Sequence, residues 1–329
     1  MQTPLILIAG PGTSIPTLSQ AITLLPPDDG TPAEIRLAPG VYREKIVLAR
    51  ANTTLTGESA QSTRIVWGDG AFEQLPDGMN RGTFRTATLR TDAPRVTLRN
   101  LTIENDAAPR ETAGQAIALY ADGDGLLCED CVLLGAQDTL FTAPLPPKEI
   151  QKNGFIGPKQ FAPRLPQRHT YRRCRIVGDI DFIFGGAAAW FEACDIVSID
   201  GRSDRSKPYV GYATAASTPE GQAFGYVFAD CRFLSEGCAD GSVYLGRPWR
   251  DWAKTVLLRC ELGAHIVREG FHDWRKPLAR EVCFYAEHGC FGPGAAPSSA
   301  RAPFVRRLTD AQAAGFTYEA FWASMETRS

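Results

Sequence analysis

The sequence predicts an all-β protein: a single right-handed parallel β-helix with one short N-terminal helix and helical pieces in a C-terminal tail. Three observations lead there. From about residue 26 to 295, short runs of Val, Ile, Leu, Thr and Phe alternate with Gly, Asp, Asn and Pro, the texture of strands and turns. One strand phrase recurs, in LRNLTI (98–103), CEDCVLLG (128–135), YRRCRIVG (171–178), FEACDIVS (191–198), FADCRFLS (228–235) and LLRCELGA (257–264). The phrases lie at irregular intervals, none below 20 residues, as expected of stacked coils that cannot bury their apolar faces alone.

The elements follow in chain order. Leu18, Ala21, Ile22 and Leu25 recur at helical spacing behind Pro16 and Thr17, and Pro26-Pro27 ends that helix. Within each strand phrase, alternation sends one set of side chains inward. Asn100 and Cys131, Cys174, Cys194, Cys231 and Cys260 are read as one phrase position, forming a ladder inside the stack. The cysteines fit as small buried hydrophobes, with Cys174 and Cys194 close enough on neighbouring coils to pair under oxidising conditions. Residues 143–169 interrupt the pattern with a long, polar, Pro-rich loop, expected to wall a cleft. In the tail (300–329), Thr309-Asp310-Ala311-Gln312 forms a capping box before a short helix ending by Gly315, and TYEAFWASM is a second helical piece. All 329 residues form one domain.

Composition narrows the function. Apolar residues make up 44% and charged residues 22%, with a net charge of −2, so no global field points to nucleic acid or anionic lipid. No apolar run is long enough to span a membrane. The start, MQTPLILIAGPGTS, lacks a basic n-region and a long h-region, so a native Met1 implies a cytoplasmic protein and a trimmed start a secreted one. Cys128 and Cys131 have no partner pair at zinc spacing, so no metal site is expected. There is no G-x-S-x-G elbow, P-loop or dinucleotide fingerprint, and none of the four histidines sits in a nucleophile phrase.

The chemistry-bearing residues lie in apolar strand context: Gln115 in GQAIAL, Gln137 and Asp138 in GAQDTLF, Asp181 in GDIDFIFGG, and Arg247 and Trp249 in YLGRPWRDW. A desolvated carboxylate needs a partner or a proton. Arg247, with its planar fork, can hold one aspartate charged, while the second has its pKa raised and keeps a proton. Two amides could hold an oxyanion, and Trp249 offers a flat surface to a sugar ring or methyl group. Each residue also has a plainer reading: an Arg247–Asp181 structural ion pair, glutamines in an internal ladder or in solvent, and a core tryptophan. Asp179 reads as a solvated turn residue.

Taken together, GVYREKI (40–46), LTGES (55–59), GTFRTATL (82–89), GQAIAL, GAQDTLF, GDIDFIFGG and YLGRPW resemble the pectin methylesterase (pectinesterase) family, in the family's order and from about residue 5 to 322. The resemblance implies a metal-free, cofactor-free esterase on a parallel β-helix. It would act as a monomer on methyl-esterified galacturonan or oligogalacturonide and release methanol. Asp181 then matches the nucleophile, Asp138 the general acid and base, Gln137 the oxyanion holder and Gln115 the second glutamine. Arg247 matches the residue orienting the nucleophile, and Trp249 and Thr83 match substrate contacts.

Two positions depart from the family pattern. Phe141 replaces a tyrosine of many members, implying a lost substrate hydroxyl contact, and Phe271 in GFHDW replaces a tryptophan at a possible stacking subsite. The 143–169 insertion resembles leaderless bacterial members, which would meet short oligomers rather than wall polymer. Two rivals share the scaffold: a pectate lyase or polygalacturonase, and a non-catalytic pectin-binding β-helix. A lyase would need calcium ligands and a strong base, and these carboxylates sit beside glutamines and arginine rather than in an acidic cluster suited to a hard cation; a binder has no use for two aspartates flanked by amides and arginine.

Overall fold

The structure, a computed structural model, describes residues 4–202, 206, 208–209 and 211–325. Its strands form three sheets of eleven, eight and seven members, and each coil in the middle of the stack contributes one strand to each sheet. One coil supplies Leu126–Glu129, Val132–Leu134 and Leu140–Thr142. The next supplies Arg168–Arg172, Arg175–Gly178 and Ile180–Gly185, and the third Ala188–Glu192, Asp195–Ile199 and Gly211–Ala216. Neighbouring coils pair in parallel and in register, as in Leu127↔Thr170↔Trp190↔Val227. This is the parallel β-helix that the recurring phrase predicts.

The phrase records a sharp corner. Asn100, Asp130, Arg173, Ala193, Asp230 and Arg259 all have φ between 50° and 56°, each the first of the two residues that turn the chain from one strand into the next. Asn and Asp tolerate this left-handed conformation best. The register corrects the expected ladder by one position. Arg99 pairs with Glu129, so Asn100 is level with corner residue Asp130, and Leu101 is the residue level with Cys131. Asn100 is therefore a corner and not a rung of the cysteine ladder.

The residue after each corner points into the core, and at four of them a thiol reaches the coil before. Cys174 Sγ donates to Cys128 O (3.3 Å), Cys194 to Tyr171 O (3.4 Å), Cys231 to Phe191 O (3.4 Å) and Cys260 to Phe228 O (3.3 Å). All nine cysteines are free thiols, so Cys174 and Cys194 are unbonded. Beside them an aromatic column climbs the stack, Tyr171 on Phe191 (4.7 Å, 10°) and Phe191 on Phe228 (4.4 Å, 11°).

The helices fall where the sequence signals them. Leu18–Thr23 is capped by Thr17, whose side chain accepts from Gln20 N, and buries Leu18 and Ala21. Asp310–Ala313 carries the full Thr309/Gln312 capping box, and Tyr318–Ala323 follows a Thr317 cap. This last helix lies along the flank of the stack, with Tyr318 and Phe321 against Trp190 (5.7 and 5.8 Å). Pro277–Val282 is a further helix with no anticipated counterpart. No helix among the described residues is long and apolar enough to cross a membrane.

Near the C-terminal end of the stack, Glu287 and Arg301 form a buried pair with 0% and 1% of their side chains exposed. Arg301 grips Glu287 at 2.8 and 3.2 Å, and also donates to the carbonyls of Val267, Arg268 and Gly294. Glu287→Ala leaves that guanidinium buried without its counter-charge. The expected cost is about 3–5 kcal/mol, measured by denaturant unfolding, and a loss under 1 kcal/mol would show that the pair does not hold this end.

Candidate active site

The site is built by register. Ala116 N donates to Gln137 O (3.1 Å) and Asp138 N to Ile180 O (3.0 Å). Gln115, the Gln137-Asp138 pair and Asp181 thus stand on successive coils, one strand spacing or about 4.8 Å apart. Arg247 N bonds Thr214 O (2.9 Å) two coils beyond Asp138, and Trp249 N bonds Ala216 O (3.0 Å). The seven-stranded sheet therefore brings residues from across the sequence into one row.

Local backbone irregularity aims the two aspartates. Pairing between Ile180–Gly185 and Gly211–Ala216 runs Ile180↔Tyr212 and then Ile183↔Thr214, so Asp181 and Phe182 oppose Ala213 in a β-bulge. Asp181 has φ 51° and Asp138 φ 66°. Bulges and left-handed non-glycine residues re-aim side chains and gather at functional sites.

Asp181 faces Arg247 squarely, with Nε to Oδ1 at 2.8 Å and Nη2 to Oδ2 at 2.6 Å. The guanidinium is itself sandwiched, 3.9 Å from the Tyr212 ring centroid and 3.7 Å from that of Trp274. Held on both faces and forked at one edge, Arg247 has little freedom to turn away.

Asp138 and Asp181 are both buried. Burial pushes the Asp138 carboxyl well above the ordinary 3.8, and the nearby Asp181 charge adds to the rise. Burial also pushes Asp181 up, with Arg247 opposing it. Desolvation is the larger of these two influences on Asp181. Asp138 remains the carboxyl that holds its proton to higher pH, since it has the like charge beside it and no guanidinium on its own oxygens.

Thr83, Gln115, Gln137, Asp138, Asp181, Arg247 and Trp249 all line one open cleft of ≈ 540 Å³. Neither glutamine side chain has a hydrogen-bond partner among the described residues. Both amides face the cleft rather than an internal ladder. Thr83 opens the short turn Thr83–Arg85 at the rim. Trp249 is half-buried on a floor of Phe84, Phe141, Phe155 and Phe184, with centroids 5.6–6.5 Å away. Among the described residues no group of three His, Cys, Asp or Glu side chains is close enough to hold a metal.

Three readings change. Asp179 is buried and is not a solvated turn residue: it is the single residue between two strands, and its Oδ1 accepts from Ile180 N (2.6 Å). It does not line the cleft. Phe141 is fully buried beneath the cleft floor, so the tyrosine-to-phenylalanine departure falls in the packing and not on the surface that would meet a substrate. Phe271 stacks on Tyr285 in the core (4.2 Å, 10°), and Trp274 is the cleft aromatic of that segment.

The sequence reading missed Tyr212, Trp274, Arg250 and Lys276. Trp274 was within sight, three residues after Phe271, but no periodicity governs a loop whose backbone is left-handed at both Trp274 and Arg275. The 143–169 loop does wall the cleft, contributing Ile150, Gln151, Gly154 and Phe155. Lys159 ties it to the body through Asp92 and Asp122, and Phe155 seats it against Phe84 and Trp249.

Comparison with known proteins agrees with this geometry. The Pectinesterase family model matches residues 6–145 and 164–325, leaving out the middle of the inserted wall. The chain is 32% identical over 313 residues to Pectinesterase 31 of Arabidopsis thaliana, covering 93% of this chain and 87% of that relative. Among solved structures it is similar to pectin methylesterase PemA from Erwinia chrysanthemi (TM-score 0.78, 29% identity, 98% of this chain and 97% of that one). It is also similar to a pectin methylesterase in complex with a hexasaccharide (TM-score 0.80, 29% identity, 97% of both chains). With a family match over nearly its whole length, and its forked aspartate and paired amides in one cleft, this chain belongs to the pectinesterase family.

Proposed function

We propose that this protein removes methyl esters from galacturonan or its oligomers, giving methanol and free carboxylate through an acyl-enzyme on Asp181. The observation that carries the reading is the desolvated Asp181 forked onto Arg247, with a second, proton-holding aspartate in the same cleft. A calcium-dependent lyase would need a cluster of acidic ligands, whereas these two carboxyls sit among amides and cations.

An Asp181 oxygen attacks the ester carbonyl carbon, and the charge that develops on the carbonyl oxygen falls to the unengaged N–H groups of Gln137 and Gln115. Collapse breaks the bond to methoxide, which leaves as methanol with the Asp138 proton. A mixed anhydride joins Asp181 to the sugar acyl group. Asp138, now a carboxylate, takes a proton from water as the oxygen attacks the sugar acyl carbon. Asp181 departs as carboxylate, and Asp138 is again protonated. Trp249 and Thr83 position the sugar. Arg247 orients Asp181 and steadies its charge as leaving group.

The inserted wall supports a further part of the reading, a preference for short methylated oligomers over long polymer, because it narrows one side of the cleft. If so, kcat/KM per ester on methylated oligogalacturonides exceeds that on intact pectin, and the reverse order would remove the proposal.

Asp181→Ala is expected to abolish methanol release, by at least about 10³-fold, with oligomer binding retained and the protein still folded at a stability cost of about 3–5 kcal/mol for the unpaired Arg247 guanidinium. Wild-type enzyme should release methanol with no unsaturated or shortened chains. Chain cleavage instead would favour the lyase or hydrolase rival, and binding without any turnover the non-catalytic one.

Asp138→Asn is expected to lower kcat by about 10²–10⁴-fold and to raise stability. The raised folded pKa of Asp138 means that its ionisation destabilises the fold as pH climbs above its unfolded value of 3.8. The variant should therefore melt higher than wild type at neutral pH, with the two converging below about pH 4. A gap independent of pH would refute the burial of a titrating group there.

A further inference from the structure

A smaller cavity, of ≈ 210 Å³, lies on the flank of the stack, where the outward side of the eleven-stranded sheet meets the C-terminal tail. It shares no lining residue with the cleft. Val227 and Val256 face it from neighbouring coils, in register with each other, and Lys254 and Phe284 do the same one step along the sheet. Phe316, in the turn after the Asp310–Ala313 helix, closes one side. It packs against Phe284 (6.2 Å, 28°) and Phe224 (5.7 Å, 80°).

Every side chain in this lining is apolar except that of Lys254. Lys254 is half-buried, and no carboxylate lies within 4.0 Å of it among the described residues. Its Nζ donates to two main-chain oxygens, Gln222 O (2.5 Å) and Ala223 O (3.5 Å). An ammonium has three donors, so one N–H stays uncommitted. Burial pushes the Lys254 pKa below the ordinary 10.5, and no neighbouring charge acts to restore it. A partly desolvated charge without a counter-ion is costly, and folded proteins ordinarily pair such groups. Arg306 adds positive charge at the margin. Its guanidinium lies 4.6 Å from the Phe284 ring centroid, and it too has no carboxylate within 4.0 Å among the described residues.

Apolar walls with one unpaired cation select a guest with an apolar body and one anionic end. Drug-sized ligands fill pockets of about 300–1,000 Å³, so this cavity takes a smaller molecule. A sugar acid does not suit it, because its hydroxyls would be buried against valine and phenylalanine without partners. We propose that the cavity binds a small aromatic monocarboxylate, with its ring against Phe284 and Phe316 and its carboxylate on the ammonium of Lys254. This site is separate from the cleft and does not rest on the esterase reading. Binding there supplies the counter-charge that the fold itself withholds from Lys254.

The test titrates phenylacetate into the whole chain by calorimetry at low salt. Phenylacetamide, which has the same shape without the charge, and acetate, which has the charge without the ring, are the controls. Phenylacetate should bind at least about tenfold more tightly than either, the scale of one charge-assisted contact, and its margin over phenylacetamide should narrow as salt screens it. In wild-type protein, saturating phenylacetate should slow reductive methylation of Lys254, followed by peptide mass spectrometry. That readout locates the site without any variant. Lys254→Met should bind acid and amide equally, while Lys254→Arg, which keeps the charge, should retain most of the preference. No heat of binding, equal affinity for phenylacetate and either control, or methylation of Lys254 untouched by phenylacetate overturns the proposal. So does binding that survives Lys254→Met and is lost in Arg250→Gln, which would place the carboxylate in the cleft.

Discussion

Everything in this molecule depends on the in-register backbone pairing of one coil with the next. Each coil cannot satisfy its own N–H and C=O groups and finds their partners one strand spacing away. That requirement fixes the stack, and the stack in turn places Gln115, Gln137, Asp138 and Asp181 side by side although they are spread over 67 positions of chain, 115 to 181. A slip of one residue in any coil would turn its functional side chain from the cleft into the core. The left-handed corners at Asp130, Arg173, Ala193 and Asp230 start each coil at the same point and guard against that slip.

The register alone would leave Asp181 on a regular strand. Its bulge and positive φ break the pleat locally. A kink of this kind costs of order 1–3 kcal/mol, which the fork onto Arg247 and the surrounding apolar packing offset. The same packing desolvates the two carboxyls and drives them apart in proton affinity. Breaking a buried fork of this type costs about 3–5 kcal/mol, so the geometry of the cleft and the local stability of the sheet are one feature. The Tyr212–Trp274 sandwich completes the arrangement by fixing the plane of the guanidinium.

The inserted wall adds a second layer. It is anchored by charge at Lys159 and by aromatic packing at Phe155, and it meets the cation Arg250 at Lys148 O. One loop, whose middle lies outside the family match, thus touches both the floor under Trp249 and Arg250. Loops carried on a constant stack are where function on such a scaffold is set.

The amino-acid order by itself determined the coil class, the capped helices at Thr17, Thr309 and Thr317, and the identity of the two aspartates, two glutamines and Arg247. These are carried by local periodicity, by caps that act within three residues, and by polar residues standing out in apolar strands. Tertiary structure alone decided that Asn100 is a corner, that Asp179 is buried away from the cleft, that Phe141 and Phe271 pack beneath the surface while Trp274 emerges, and that burial outweighs Arg247 at Asp181. Which face of a strand a residue takes after a bulge, and how much water reaches it, are properties of neighbours one coil away. Those neighbours are 20 to 40 residues distant in the chain, beyond the reach of any local pattern.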